Sequence, residues 1–229
     1  TKAVIATSAD GASDVHLADM DGDGDLDIVS ASITDDTIAW YENNGAADPT
    51  FTATDIDTNA DFALGVQVAD MDGDGDLDIV SASINDNTIA WYENDGAANP
   101  TWTAANINTS TDGAREVHIG DLDGDGDLDI VSASHNNDTI AWFENNGAAD
   151  PSFTKAVIAT SADGASAVHL ADMDGDGDLD IVSSSMNDAT IAWYENNGAV
   201  NPSFTAADIA TNIDGAYHVY AEDMDADGD

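Results

Sequence analysis

The chain contains no cysteine, so it has neither a disulfide staple nor a thiolate to act as nucleophile or soft metal ligand. Basic residues are almost as scarce. Lys2, Arg115 and Lys155 stand against 47 acidic residues, a formal charge of −44 over 229 residues. A surface this acidic is repelled by nucleic acid and by anionic membranes, which argues against both as partners. No apolar run approaches the roughly 18 residues of a membrane helix, so no membrane insertion is expected. No segment carries a helical period of useful length. There is no G-x-S-x-G, no phosphate-binding loop and no zinc motif. No signal peptide is present either, and the chain opens at Thr1 in the middle of a repeat. The expectation is a chain processed or excised from something longer.

What the chain has is periodicity. Apolar residues make up 42% and recur in short alternating runs, unlike a disordered acidic tail. A nine-residue loop, D-M-D-G-D-G-D-L-D at Asp19–Asp27, returns at Asp70–Asp78, Asp121–Asp129 and Asp172–Asp180. A partial fifth copy occupies Asp223–Asp229. Their starts lie 51 residues apart, the mark of one structural unit copied in series.

Residues 11–61 define that unit. Strands are predicted at Ser13–Ala18, Leu26–Ile33, Thr37–Asn43 and Phe51–Thr58, from runs of β-formers bounded by turn signals. Four short antiparallel strands per 51 residues predict an all-β fold, a β-propeller of four-stranded blades. A solenoid is disfavoured, because its turns are much shorter. The whole blades are 11–61, 62–112, 113–163 and 164–214. Residues 1–10 match an outer fourth strand, and 215–229 match an inner first strand with most of its loop. The expectation is a single repeat domain of four whole blades and parts of a fifth, a fragment of a larger ring. The open edges also offer a route to self-association by strand addition. Each blade must bury both faces against neighbours. Trp40, Trp91, Trp142 and Trp193 form one column, and Tyr41, Tyr92, Phe143 and Tyr194 the next. These columns, with Phe51, Trp102, Phe153 and Phe204, are read as core.

In the acid loops carboxylates stand at every second position. Asp19, Asp21 and Asp23 each have an oxygen to give, Asp25 its backbone carbonyl, and Asp27 both carboxylate oxygens. With one water that makes about seven oxygen ligands, the preference of Ca²⁺. The same roles fall to Asp70, Asp72, Asp74, Asp76 and Asp78; to Asp121, Asp123, Asp125, Asp127 and Asp129; and to Asp172, Asp174, Asp176, Asp178 and Asp180. Magnesium fits less well, and zinc wants nitrogen or sulfur ligands. Gly22 and Gly24 let the backbone wrap tightly. A solvated loop without a cation is the alternative, but so many carboxylates in one tight turn repel each other strongly. The loop begins like an EF-hand, yet position twelve is Ser30 instead of Glu and the flanks are strands. The fifth copy has Asp223, Asp225, Asp227 and Asp229 but stops before position nine, so it is expected to bind poorly alone.

D-x-D-G-D-G-D-L-D-I-V, followed by T-I-A-W-Y-E-N-N-G, resembles the FG-GAP/VCBS-type repeat found in integrin α-subunit propellers and bacterial surface proteins. The resemblance covers the whole chain. It implies a calcium-bound propeller, commonly seven-bladed, with the ion between the first two strands of each blade. The phenylalanine-glycine and Gly-Ala-Pro signatures that name the family are not evident.

No acid–base pair stands outside the metal loops, so no enzyme is expected. His16, His118 and His169 share one column with Gln67 and Tyr220. This column lies on the predicted inner strand and reads as polar channel lining or a ligand site. His135 and His218 fall in columns that vary between copies, a binding face or drift. Three functions stay open. The first is an extracellular or cell-surface binding or adhesion module with a protein ligand. The second is a glycan-binding, lectin-like accessory module. The third is a structural repeat that assembles through its open edges. Units 1–51 and 154–204 differ at only eight positions.

Overall fold

The computed structural model describes residues 4–7 and 9–222. It is all-β: no helix occurs among the described residues, and so none long and apolar enough to cross a membrane. The first repeat forms β1 (Ala12–Ala18), β2 (Asp27–Ser32), β3 (Thr37–Asn43) and β4 (Phe51–Asp57). The second forms β5 (Ala63–Ala69), β6 (Asp78–Ser83), β7 (Thr88–Asn94) and β8 (Trp102–Asn108). The third contributes β9 (Ala114–Gly120), β10 (Asp129–Ser134), β11 (Thr139–Asn145) and β12 (Phe153–Ala159). The fourth contributes β13 (Ala165–Ala171), β14 (Asp180–Ser185), β15 (Thr190–Asn196) and β16 (Phe204–Thr211). Each repeat is one four-stranded antiparallel meander, ordered as in the chain. The strands fall within two residues of those read from the sequence, because alternation and turn residues are local signals.

The chain divides into two compact units, residues 1–113 and 114–229, each holding two blades. Within each unit the blades pack face to face in the same way. In the first, Met20, Val29, Ala31, Ile38 and Trp40 of one blade meet Ala63, Val66, Ile79, Ala90 and Tyr92 of the next. In the second, Leu122, Val131, Ala133, Ile140 and Trp142 meet Ala165, Val168, Ile181, Ala192 and Tyr194. The two side-chain sets of a strand therefore have different destinations. The tryptophan face covers the following blade and the tyrosine face meets the preceding one. The fourth-strand aromatics are only half-buried, although Trp102 still packs edge-on against Trp40, ring centroids 6.4 Å apart. They sit at the outer rim of the stack instead of in its core. Buried hydroxyls follow the repeat as well. Ser30, Ser81 and Ser183 reach the hydroxyls of Tyr41, Tyr92 and Tyr194 at 3.3–3.4 Å, whereas Phe143 leaves the Ser132 hydroxyl without a partner.

Residues 4–7, 9–10 and 215–222, which match an outer and an inner strand in sequence, form no strand. A strand exists only by pairing, and these segments lack the second and third strands of their own blade to pair with.

The turn joining the second and third strands reaches across to the next repeat. Asp36, Asn87 and Asp138 adopt a left-handed backbone there, φ 55–60°. Their side chains accept hydrogen bonds from the amides of Phe62, Gly113 and Gly164 at 2.8–2.9 Å. In the fourth repeat Ala189 holds the same φ of 58° with no side chain to accept a bond. Asn tolerates this region far better than Ala and supplies the missing acceptor for the Gly215 amide. Ala189→Asn is therefore expected to stabilise the protein by about 1 kcal/mol, read as a higher midpoint in denaturant titration. An unchanged or lower midpoint would contradict the role given to this turn.

Candidate metal centre

Each acid loop connects the first strand of a blade to the second, so the strand pair fixes where the loop begins and ends. Asp27 pairs with Ala18 across β1 and β2, closing the loop on itself. The loop interior is a chain of aspartate turns. Asp19 takes the amides of Asp23 and Gly24 at 3.1 and 2.9 Å, Asp21 takes Asp23 at 3.2 Å, and Asp23 takes Asp25 at 2.9 Å. The other three loops repeat this, with Asp70 holding Gly73 and Gly75, and Asp121 holding Gly124 and Gly126. Asp172 holds Gly175 and Gly177. These turns hold every loop in a similar curve.

Oxygens from Asp19, Asp21 and Asp27 lie within 4.8 Å of one another, a spacing that one cation can bridge. The same holds for Asp70, Asp72 and Asp78, and for Asp121, Asp123 and Asp129. In the fourth loop the group is Asp172, Asp174 and Asp176. Position five (Asp23, Asp74 and Asp125) stands outside the cluster in the first three loops, and position nine (Asp180) in the fourth. The partial fifth loop, Asp223, Asp225, Asp227 and Asp229, lies outside the described residues.

Positions seven and nine have distinct environments. The side chains of Asp25, Asp76, Asp127 and Asp178 lie under Gly45, Gly96, Gly147 and Gly198, where any Cβ would collide with the carboxylate. Position nine is buried in every loop, at 1% exposure. Asp27 Oδ2 accepts from the Met20 amide at 3.1 Å and from the Trp40 indole at 3.0 Å, and Oδ1 accepts from the Asn43 amide at 2.7 Å. Oδ2 thus has both lone pairs engaged, while Oδ1 keeps one for a cation. Asp78, Asp129 and Asp180 accept from the Asn94, Asn145 and Asn196 amides in the same way. The Trp91 and Trp142 indoles lie near enough to Asp78 and Asp129 to help hold their charge, but outside hydrogen-bond geometry.

Burial raises the Asp78 and Asp129 carboxyls. Asp78 is pushed up to about 6 and Asp129 to about 7, desolvation outweighing the amides that favour the charged form. Position three (Asp21, Asp72, Asp123 and Asp174) also rises, through desolvation first, with neighbouring aspartate charges adding to it. A divalent cation relieves both effects. The donor set is all oxygen, with no imidazole or thiolate in the loop, and such a set selects a hard cation.

The sequence reading missed a column. Asn43, Asn94, Asn145 and Asn196 end the third strands, and their role depends on partners remote in sequence. Asn94 Nδ2 donates to the carbonyl of Leu77 in its own loop at 3.0 Å and to that of Met20 in the preceding blade's loop at 2.9 Å. Asn196 does the same with Leu179 and Leu122. Asn43 donates to Leu26 alone. The only sequence signal was the repeated E-N-N-G, E-N-D-G in the second repeat, which also reads as an ordinary turn.

Three members of the histidine column stack, His118, His169 and Tyr220. His118 and His169 ring centroids lie 4.4 Å apart, and His169 lies 4.5 Å from Tyr220. Burial holds the His169 and His16 imidazoles below their ordinary value. His218 Nε2 is 3.4 Å from Glu116, and the Arg115 guanidinium sits 4.2 Å from the Tyr217 ring centroid. His16 and Gln67 lie on β1 and β5, and His135 sits in the turn after β10.

A family model described as an FG-GAP-like repeat matches residues 19–81, 70–132, 121–183 and 174–229, and each match begins within an acid loop. No curated protein matches significantly. Among solved structures, the V. cholerae biofilm matrix protein Bap1 is similar at 21% identity with a TM-score of 0.52. The likeness covers 84% of this chain but only 28% of Bap1.

The asparagine hook gives a comparison within one molecule. Asn94→Ala removes the bond to the neighbouring loop and leaves the buried Met20 carbonyl unpaired, whereas Asn43→Ala removes local bonds only. Asn94→Ala is expected to cost about 1–2 kcal/mol more than Asn43→Ala in denaturant titration. Equal losses would remove the inter-blade role.

Proposed function

Since the chain belongs to the FG-GAP-like repeat family, we propose that it is a calcium-stabilised, non-catalytic binding module of the extracellular or cell-surface kind. The observation that carries this reading is the recurrence of a three-carboxylate cluster in the acid loop of all four repeats, on positions one, three and nine in the first three and one, three and five in the fourth. Calcium is the cation whose chemistry suits such a set, and its millimolar supply outside cells suits loops this open. The similarity to a biofilm matrix protein supports the same setting for this chain. So does the absence of any staple other than metal in a cysteine-free chain.

When bound, calcium would offset two of the loop's five negative charges and tie the first two strands together. The chain's own residues do the rest. The aspartate turns set the loop's curvature, and the position-nine carboxylate links it to the third strand. The Trp40, Trp91 and Trp142 rings are buried between sheets and offer a sugar no platform, whereas Tyr217 and Tyr220 are exposed, so the ligand is left as a protein or a glycan.

Extracellular calcium modules bind at about 10⁻⁴–10⁻³ M, and tenfold excess over Kd adds ~1.4 kcal/mol per site. Four independent sites would add about 5–6 kcal/mol. Thermal unfolding in millimolar calcium is therefore expected well above that in chelator. The gap should narrow at pH 5. The raised carboxyls Asp78 and Asp129 stabilise the ion-free fold while protonated, lose that contribution as pH rises through about 6–7, and must release protons to bind the ion. Coincident unfolding curves at pH 7.5 would contradict the proposal.

A further inference from the structure

Where the first two blades meet, a cavity of about 230 Å³ opens beside Tyr92. One water needs roughly 10–15 Å³ of such space, so the cavity admits a larger guest. Asp57, at the end of β4, forms one wall. Ser83, Asp86, Thr88 and Tyr92, around the turn from β6 to β7, form the other, with Asn106 of β8 beside them. Exposure orders these residues by depth. Ser83, Thr88 and Tyr92 are buried, Asp57 is half-buried, and Asp86 and Asn106 are exposed at the mouth.

This lining belongs to one pair of repeats and not to the repeat as such. Asn108, Ala159 and Ala210 stand at the position of Asp57 in the later repeats. The Tyr92 hydroxyl donates to Asp57 Oδ2 at 3.0 Å, whereas Tyr194 has Ala159 in place of that carboxylate. The polar groups are also under-used. Ser83 is 2% exposed and lines the cavity, yet its hydroxyl makes no hydrogen bond to any described residue. The Thr88 hydroxyl donates to the Asp86 carbonyl at 3.2 Å and keeps its own lone pairs. Asp57 Oδ2 keeps one lone pair beyond its bond from Tyr92. Two carboxylates thus share a cavity with no cation beside them, since the first unit holds no Lys or Arg among its described residues. Burial raises the Asp86 carboxyl, and the Asp61 charge adds to it.

We propose that this cavity binds a primary ammonium group, carried by a free amine or by a lysine side chain of a partner protein. Asp57 Oδ2, Ser83 Oγ and Thr88 Oγ1 supply three acceptors inside the mouth, and an ammonium has three donors. Asp86, exposed at the mouth, meets an incoming cation first. A calcium ion suits the place less well. It draws about six to eight oxygens to about 2.3–2.6 Å. Asp57 is already engaged by the Asn59 amide at 2.9 Å and by Tyr92 at 3.0 Å, and the space far exceeds what a bare ion fills. A neutral polyol would leave both carboxylates unbalanced. The site shares no residue with the acid loops and does not rest on the calcium reading.

The test is a titration of the chain with n-butylammonium chloride, read by amide NMR shifts in millimolar calcium and about 0.15 M salt. The salt screens the general attraction of a −44 chain for any cation. Saturable shifts are expected at Ser83, Thr88 and Asn106. n-Butanol, the same stem without the charge, should cause none. Nα-acetyl-lysine methylamide separates a protein-borne source from a free amine, and saturation by either probe supports the proposal. Asp57→Asn and Asp86→Asn should each weaken binding about tenfold, and Ser83→Ala less. Asp86 is exposed, so its substitution is compatible with folding, and circular-dichroism melting checks every variant. Asp208→Asn, at the position of Asn106 in the fourth repeat, should bind like the parent. Shifts that fail to saturate, that n-butanol reproduces, or that survive Asp57→Asn and Asp86→Asn would overturn the proposal. So would their loss when calcium is raised at constant ionic strength, which would mark a metal site instead.

Discussion

A buried carboxylate at the ninth position of each acid loop is the constraint on which the rest depends. Asp27 is held by a loop amide, by an indole on the third strand and by the amide that ends that strand. One side chain thus joins the end of the first strand, the start of the second and the end of the third. At Asp78 and Asp129 desolvation raises the carboxyl, so burial there is costly. The carboxylate is tolerated because donors surround it, and one lone pair of Oδ1 is left open to a cation. An apolar residue would avoid the desolvation but would lose three bonds. In the proposed reading the ion site and the sheet are one construction.

The same side chain explains how blades communicate. Residue two of the loop, Met20 or Leu122, plugs the core between blades, and its carbonyl receives the asparagine of the next blade. That asparagine follows directly from the strand whose end the next ninth aspartate grips. Loop, sheet and neighbouring blade lie along one continuous path of bonds. In the proposed reading a cation in each loop would reduce repulsion where packing is also being fixed, which suits a chain with no disulfides and a large negative charge.

Much of the fold was legible from residues alone. Thr37–Asn43 alternates apolar side chains on both faces and sits between Asp35-Asp36 and Asn44-Gly45, so its limits are set locally. The acid loop was equally plain, since carboxylates at every second residue have few stable arrangements without a cation. The destinations of the faces were not legible. Trp40 and Tyr41 both read as core, but which one meets the preceding blade depends on the stacking of sheets. The indole bond to Asp27 and the reach of Asn94 to Met20, 74 residues away, depend on register between strands and between blades. Periodicity along one chain does not encode these directly. Residues 215–222 show the reverse error. Their sequence is that of a first strand, yet strand structure needs a partner that local pattern cannot supply.

Hydrogen exchange during a calcium titration tests the central claim most directly, that ion binding and blade packing are one equilibrium. The amides to follow are Met71, Gly73 and Gly75 in the second loop, and Ile79, Val80, Ala90 and Trp91 in the sheet behind it. The account predicts that protection at loop and sheet amides rises along one calcium dependence. Protection that rises in the loop while the sheet stays unchanged would separate the ion site from the fold and contradict it.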